Sequence, residues 1–325
     1  MSNNRATMKG GIKMRRSLLI ATLAALMGPF LAVDAEAIFK KLGTTGFNFV
    51  KIGQSARPAA MGSAYMAISN DINSIFWNPA GLTHIERAAY TFSYNRWFAD
   101  SKLYSGAVAY RFGASVFGVS MVSFRTKPFE ETTIFEPMGT GKMVEGDDIA
   151  FGVAYAYQFT DRLSFGANFR YLQESLFEDS NTTFDASVGT LFYTGFQSFR
   201  LAMTLKNFGQ DNTVIAESSF MPVVYTIAGA MEVIGKVGDP TYLTLSAENV
   251  FAIDYEGRVH MGAELWLANT LALRGGYKWN YDAEDFSVGA GLKRAFGAAS
   301  LSVDIAYTHS KFFNAPLRFT VNGTF

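Results

Sequence analysis

Few residues of this 325-residue chain have the type and spacing to make or break bonds. His84, His260 and His309 are the candidates for proton transfer or metal ligation. None has a second ligand at metal spacing, and His84 and His309 sit at the margins of alternating segments. Gly139-Thr140-Gly141-Lys142 ends like a phosphate loop but lacks the leading glycine at the required spacing, and it lies between strand-like segments. Glu145, Asp147 and Asp148 cluster in the same stretch, as a solvated charge group does. No Gly-x-Ser-x-Gly elbow occurs. The chain has no cysteine, which excludes disulfides, thiolate zinc sites, thiol catalysis and a lipid-modified N-terminal cysteine. The expectation is a protein that is not an enzyme, with no metal and no cofactor.

The charged residues that remain are patterned by the elements carrying them. From Ala88 onward the chain repeats one motif: about ten residues of alternating character, then a turn. Leu163, Phe165, Ala167, Phe169 and Tyr171 alternate with Ser164, Gly166, Asn168 and Arg170. Leu301, Val303, Ile305 and Tyr307 alternate with Ser300, Ser302, Asp304 and Thr308. Period two is the signature of a strand with unlike faces. The apolar parity is nearly free of charge, Arg294 at a strand end excepted. The opposite parity carries Arg170, Asp185, Arg200, Lys206, Glu248, Glu264, Arg274, Lys278, Asp304 and Arg318. A soluble sandwich would have to bury those charges in its core, which is prohibitively costly. A barrel with lipid outside and an enclosed interior accommodates both faces.

Composition agrees. Hydrophobic residues make up 49% of the chain and charged residues only 17%, against about a quarter in ordinary soluble domains. No apolar run after residue 37 approaches the roughly 20 residues of a spanning helix. Net charge is zero, with 28 Lys and Arg against 28 Asp and Glu, which argues against a polyanion-binding protein. Residues 1–37 read as a secretory signal: Lys13, Arg15 and Arg16, an apolar core from Ser17 to Val33, then Ala35-Glu36-Ala37 as a cleavage site. Met14 is an alternative start.

Counting segments gives about fourteen strands, near 88–96, 103–112, 115–125, 147–159, 162–174, 183–193, 198–207, 222–234, 240–250, 258–268, 270–279, 285–294, 299–308 and 315–325. Ten residues rise roughly 33 Å, and a tilt near 40° reduces this to about the 25 Å of an outer-membrane apolar band. Long links (97–102, 126–146, 175–182, 208–221, 251–257, 280–284, 309–314) alternate with short ones, as extracellular loops alternate with periplasmic turns. The last strand ends Phe319, Val321 and Phe325 on one face. A C-terminal amphipathic strand with a terminal aromatic resembles the signal by which bacteria insert outer-membrane barrels, which implies the barrel-assembly machinery as a partner.

A barrel this wide would be an open pore unless something filled it. Residues 43–82, rich in Gly and Ala and without alternation, are placed to do so. Asn78-Pro79-Ala80-Gly81-Leu82 reads as a tight turn, and Pro58 as the first turn of a short helix. Ile52-Gly53, Ala56-Arg57-Pro58-Ala59-Ala60-Met61-Gly62-Ser63-Ala64-Tyr65, Asp71 and Trp77 to Leu82 resemble the N-terminal signature of PorV/PorQ-type proteins of the FadL-like superfamily. Lys206-Asn207-Phe208-Gly209 with Met221-Pro222 is similar to a further segment of that family, with Phe and Met as departures.

The resemblance implies an all-β fold: a transmembrane antiparallel barrel of about fourteen strands with an N-terminal hatch in its lumen. The expected organisation is signal 1–37, hatch 38–87 and barrel 88–325, in a bacterial outer membrane. Arg57, Met61, Gly62, Asp71, Trp77, Asn78, Pro79, Ala80 and Gly81 form the hatch motif. Arg170, Glu248, Glu264, Arg274, Lys278, Asp304 and Arg318 are the lumen charges. Of these, Glu248, Glu264, Arg274 and Lys278 could form a selectivity ring; a network tying hatch to wall is the favoured reading. Function forks between an accessory of protein export of the type IX kind, with secreted cargo proteins and secretion-system subunits as partners, and passive passage of hydrophobic small molecules. The low rim, with 126–146 as its one long loop, favours export. Transport would need a greasy pocket above the hatch and a gap or kink in the early strands. Outer-membrane lipid is the surrounding partner in either case.

Overall fold

The computed structural model describes residues 43–176, 179–210, 212–214 and 217–325. The expected signal segment, its cleavage site and Met14 lie outside the described residues. Alternation becomes geometry directly. In β6 (Gly146–Thr160) Ala150, Gly152, Ala154 and Ala156 are buried, while Phe151, Val153, Tyr155 and Tyr157 are exposed between them.

Fourteen strands close into one antiparallel barrel. They are β1 (Ala88–Arg96), β2 (Lys102–Phe112), β3 (Ser115–Arg125), β6, β7 (Leu163–Leu176), β8 (Asp179–Tyr193), β9 (Arg200–Gly209), β12 (Val224–Ile234), β13 (Thr241–Ala252), β14 (Arg258–Leu267), β15 (Leu271–Trp279), β16 (Glu284–Phe296), β17 (Ala299–Ser310) and β18 (Leu317–Thr324). β18 pairs with β1 from Ala89↔Thr324 to Arg96↔Leu317, so no edge remains unpaired. Two small hairpins sit in the long links: β4 (Phe129–Glu130) with β5 (Met143–Val144), and β10 (Asn212–Val214) with β11 (Glu217–Ser219).

The outer face is a continuous apolar belt. Phe117, Met121, Phe151, Phe169, Val188, Met203, Leu273, Ile305 and Phe319 are all exposed on it. Such an area far exceeds the apolar patches that soluble monomers leave to water. Arg294, the exception on the apolar parity, is exposed near the end of β16 with its guanidinium over Phe296, as expected for a side chain reaching toward the interface. No helix among the described residues is long and apolar enough to cross a membrane.

Two expectations need correction. The link expected at 175–182 is largely ladder: β7 and β8 stay paired out to Leu176↔Asp179. Ser180, Asn181 and Thr182 are polar on both parities, which reads as loop, yet a hairpin rising beyond the bilayer needs no apolar face. The tight turn expected at Asn78–Leu82 is the start of a 3-10 helix, Pro79–His84. Proline opens it and the Asn78 side chain accepts the Ala80 N–H as its cap. The interior itself divides into apolar and charged parts. On β2 to β12 many inward positions are Ala, Val or Leu, and they share one apolar core with the N-terminal segment.

Candidate functional site

The interior contains a packed floor and an open chamber above it. The floor is built by residues 45–87. This segment starts at the long-link end, where Thr45 bridges Phe220 in parallel and Lys51 pairs with Asp254 at 2.6 Å. It finishes at the short-turn end, where Arg111 donates to the carbonyls of Ile85 and Thr83. Between lie two short helices, α1 (Ala56–Ala60) and α2 (Ser74–Trp77), both wholly buried. Met61, Tyr65, Ile68, Ile72, Ile75 and Leu82 are fully buried against Leu103, Val116, Leu172 and Leu191 of the wall.

Contact is close because the wall thins to glycine where the segment touches it. A Cβ on Gly276 or Gly262 would run into the Met61 backbone. One on Gly166 or Gly189 would overlap Pro79-Ala80 or the Asn78 side chain. Gly62 itself has φ +62° with its backbone against Gly276, so no larger residue fits there without strain. Gly81 lies against the Ser69 carbonyl in the same way. The Asn78 amide donates to the carbonyls of Met66 and Thr190, which ties the segment to itself and to β8.

On the opposite side the floor is held by charge. Arg57 donates to both oxygens of Glu264 at 2.7 and 2.8 Å and pairs with Asp71 at 2.6 Å. Glu264 also accepts from Arg274 at 2.6 Å, and Arg274 reaches Asp304 at 2.7 Å. Asn322 donates to Asp304, Asn73 donates to Asn322, and the Asn73 N–H returns to Asp71 at 2.8 Å. The circuit therefore closes on itself through the N-terminal segment and β14, β15, β17 and β18. Buried charges are tolerated where each is paired and hydrogen-bonded in this manner. Arg170 with Asp185, and Arg200 with Glu232, are partnered within the wall instead.

Above the floor is a chamber of about 510 Å³, lined by Trp97 and Phe98, Tyr255 and Tyr281 of the long links. It opens at the long-link end, the extracellular side of an outer-membrane barrel. Its lining is charged. Lys278 pairs with Glu284 at 2.5 Å, and His260 bonds Glu248 at 2.9 Å and the Tyr281 hydroxyl at 2.8 Å. Burial pushes the phenols of Tyr255 and Tyr281 above their ordinary value, so both remain neutral. Lys206, Arg258 and Arg318 have no carboxylate within ion-pairing distance among the described residues. Lys206 donates to the Phe76 carbonyl at 3.4 Å and lies over the Trp77 ring. Arg318 donates to Thr308 at 2.8 Å and lies over Trp97. Arg258 lies over Tyr255 and Tyr281, at 3.6 and 4.0 Å from the ring centres.

Of the sequence-derived residues, Arg57, Asp71, Glu264, Arg274 and Asp304 meet in the circuit. Met61, Gly62, Asn78, Pro79, Ala80 and Gly81 meet the wall. Trp77 is buried edge-on to Tyr65. Glu248, Lys278 and Arg318 face the chamber, and Glu248 also accepts the Met66 N–H. Phe319 and Phe325 are exposed on the outer face with Val321 half-buried between them, remote from both. His84 bonds the Gly81 carbonyl and Tyr193, and His309 bonds Asp285. The described residues contain no group of three or more metal-ligating side chains. Sequence reading missed Asn73, Asn322, Asp254, Arg258, Glu284 and the wall glycines. Glycine on the inward parity of Gly166, Gly189, Gly262 and Gly276 was the available signal for the floor's footprint.

A family model described as type IX secretion system protein PorV matches residues 36–271. No curated protein is significantly similar in sequence. Among solved structures, the fold is similar to the CymD monoaromatic hydrocarbon channel, with 13% identity and a TM-score of 0.61 over 86% of this chain and 99% of that one. It is also similar to a FadL homologue of Pseudomonas aeruginosa, with 10% identity and a TM-score of 0.56 over 84% and 98% of the two chains. The toluene transporter TodX of Pseudomonas putida gives 11% identity and 0.56 over 82% and 97%. At these identities the likeness is one of fold.

Proposed function

The chain belongs to the PorV family of type IX secretion system proteins, and on that premise we propose that this outer-membrane β-barrel is a non-enzymatic accessory of protein export. In this reading residues 43–87 act as a hatch that keeps the barrel closed, and the extracellular rim receives exported proteins on their way to surface attachment. Secretion-system subunits and cargo proteins are its partners, and a signal peptide ending near Ala37 delivers it. The observation that carries the reading beyond family membership is the character of the chamber. It is lined by paired and unpaired charges, where a hydrophobic solute would need an apolar cup. The rim adds a protruding hairpin at 126–145, whose Ile134, Phe135 and Met138 are almost fully exposed, a surface suited to a protein partner.

The second reading, passage of hydrophobic small molecules, is favoured by the shared fold with hydrocarbon channels. It requires a side exit in the early strands. The β1–β2, β1–β18 and β2–β3 ladders run without a register shift. Deletion of the chain in its host separates the two. Export predicts that secreted proteins fail to attach at the cell surface while uptake of aromatic hydrocarbons is unchanged. Unchanged surface attachment would refute it.

A further inference from the structure

We propose that the chamber above the hatch is a binding site for an organic anion: a phosphate or carboxylate carried on an aromatic or apolar body, entering from the extracellular side. The argument starts from how the cations of this interior are paired, including Lys51 and Lys278 of the chamber itself. Lys51, Arg57, Arg170, Arg200, Arg274 and Lys278 each have a carboxylate within 3.0 Å. Lys206, Arg258 and Arg318 have none among the described residues, and all three line the same chamber. Arg318 is 2% exposed. A cation withdrawn from water without a counter-charge is costly, and an arriving anion recovers that cost.

The chemistry around the three narrows the ligand. Arg258 lies over two tyrosine rings. A stacked guanidinium can also offer in-plane N–H groups to phosphate or carboxylate, although here the two neighbouring phenols share them. Trp97 supplies flat apolar surface beside Arg318, which suits a ligand with an aromatic or apolar body. The neutral phenols of Tyr255 and Tyr281 add donors without adding negative charge. A volume of about 510 Å³ lies in the roughly 300–1,000 Å³ range of small-ligand sites. It would admit a small organic anion or the last few residues of a chain ending in a carboxylate.

The inference does not depend on the export reading, and its test is made on purified protein. The mature chain in a neutral detergent is titrated calorimetrically with phenyl phosphate and with phenol, its uncharged counterpart. It is also titrated with acetyl-Phe-Gly as free acid and as amide. Saturable one-site binding of the anionic member of either pair, at least tenfold tighter than the neutral one, is expected. The preferred pair identifies the source as free small anion or peptide end. Arg258→Gln with Arg318→Gln should weaken that binding at least tenfold, whereas Arg294→Gln on the outer face should leave it within twofold. If the double variant loses the heat-modifiable mobility of a folded barrel, Lys206→Met serves in its place with the same expectation. Absence of saturable binding, equal binding of charged and neutral members, or indifference to these substitutions would overturn the proposal.

Discussion

Floor and chamber are built from the same wall and treat charge in opposite ways. In the floor Arg57 and Arg274 are held between carboxylates, wall glycines admit the backbone of the N-terminal segment, and the Asp71–Arg57–Glu264–Arg274–Asp304 chain returns through Asn322 and Asn73. In the chamber three cations are left without one. The difference teaches which residues hold the molecule together and which it holds ready. Substitutions in the floor should cost stability and closure. Substitutions in the chamber should leave both intact and change only what binds.

The largest effect is expected where the floor's pairing is broken from one side. Arg57→Met leaves Glu264 and Asp71 without their shared partner. It should destabilise the folded barrel by about 3–5 kcal/mol, read as a lower heat-modifiability midpoint in detergent. Adding Asp71→Asn to the same chain should restore part of that loss, because Asp71 pairs with Arg57 alone among the described residues whereas Glu264 keeps Arg274. Next is Gly276→Leu, which sets a side chain against the Met61 backbone. Overpacking of about 1–3 kcal/mol should loosen the hatch and raise its protease sensitivity while the strands persist.

Asn78→Ala should follow, at about 0.5–2 kcal/mol, since it removes the cap on Ala80 and the bonds to Met66 and Thr190. In the chamber, Arg258→Gln should stay within about 0.5 kcal/mol of the parent in stability. A floor-sized loss from it would erase the distinction drawn between the regions. The smallest structural effect is expected from shortening 131–142 at the tip of the β4–β5 hairpin. Assembly and melting should not change, while partner capture by the purified barrel should fall.

How much of this was legible in the chain depends on the range of the interaction. Strand boundaries and faces are written locally, in a period of two that needs only neighbours, so β1, β3 and β15 fall within a residue of where alternation places them. The N-terminal interior segment stands apart from the strands because its alternation stops. What Arg57 touches is not local. Glu264 lies 207 residues away and faces Arg274 only through the β14–β15 register, which no periodicity states. Asp254 lies within the link 251–257 and Arg258 just after it, in a stretch that looks featureless until the barrel closes and brings both to the chamber. The β7–β8 ladder was hidden because a strand outside the membrane loses the apolar face that marks the others.

The central claim is that residues 43–87 close this barrel, and conductance across a planar bilayer tests it most directly. The intact mature protein should be electrically quiet, and a chain lacking 43–84 should give large, steady channels of porin type. Steady conductance from the intact protein, equal to that of the truncated chain, would contradict the account.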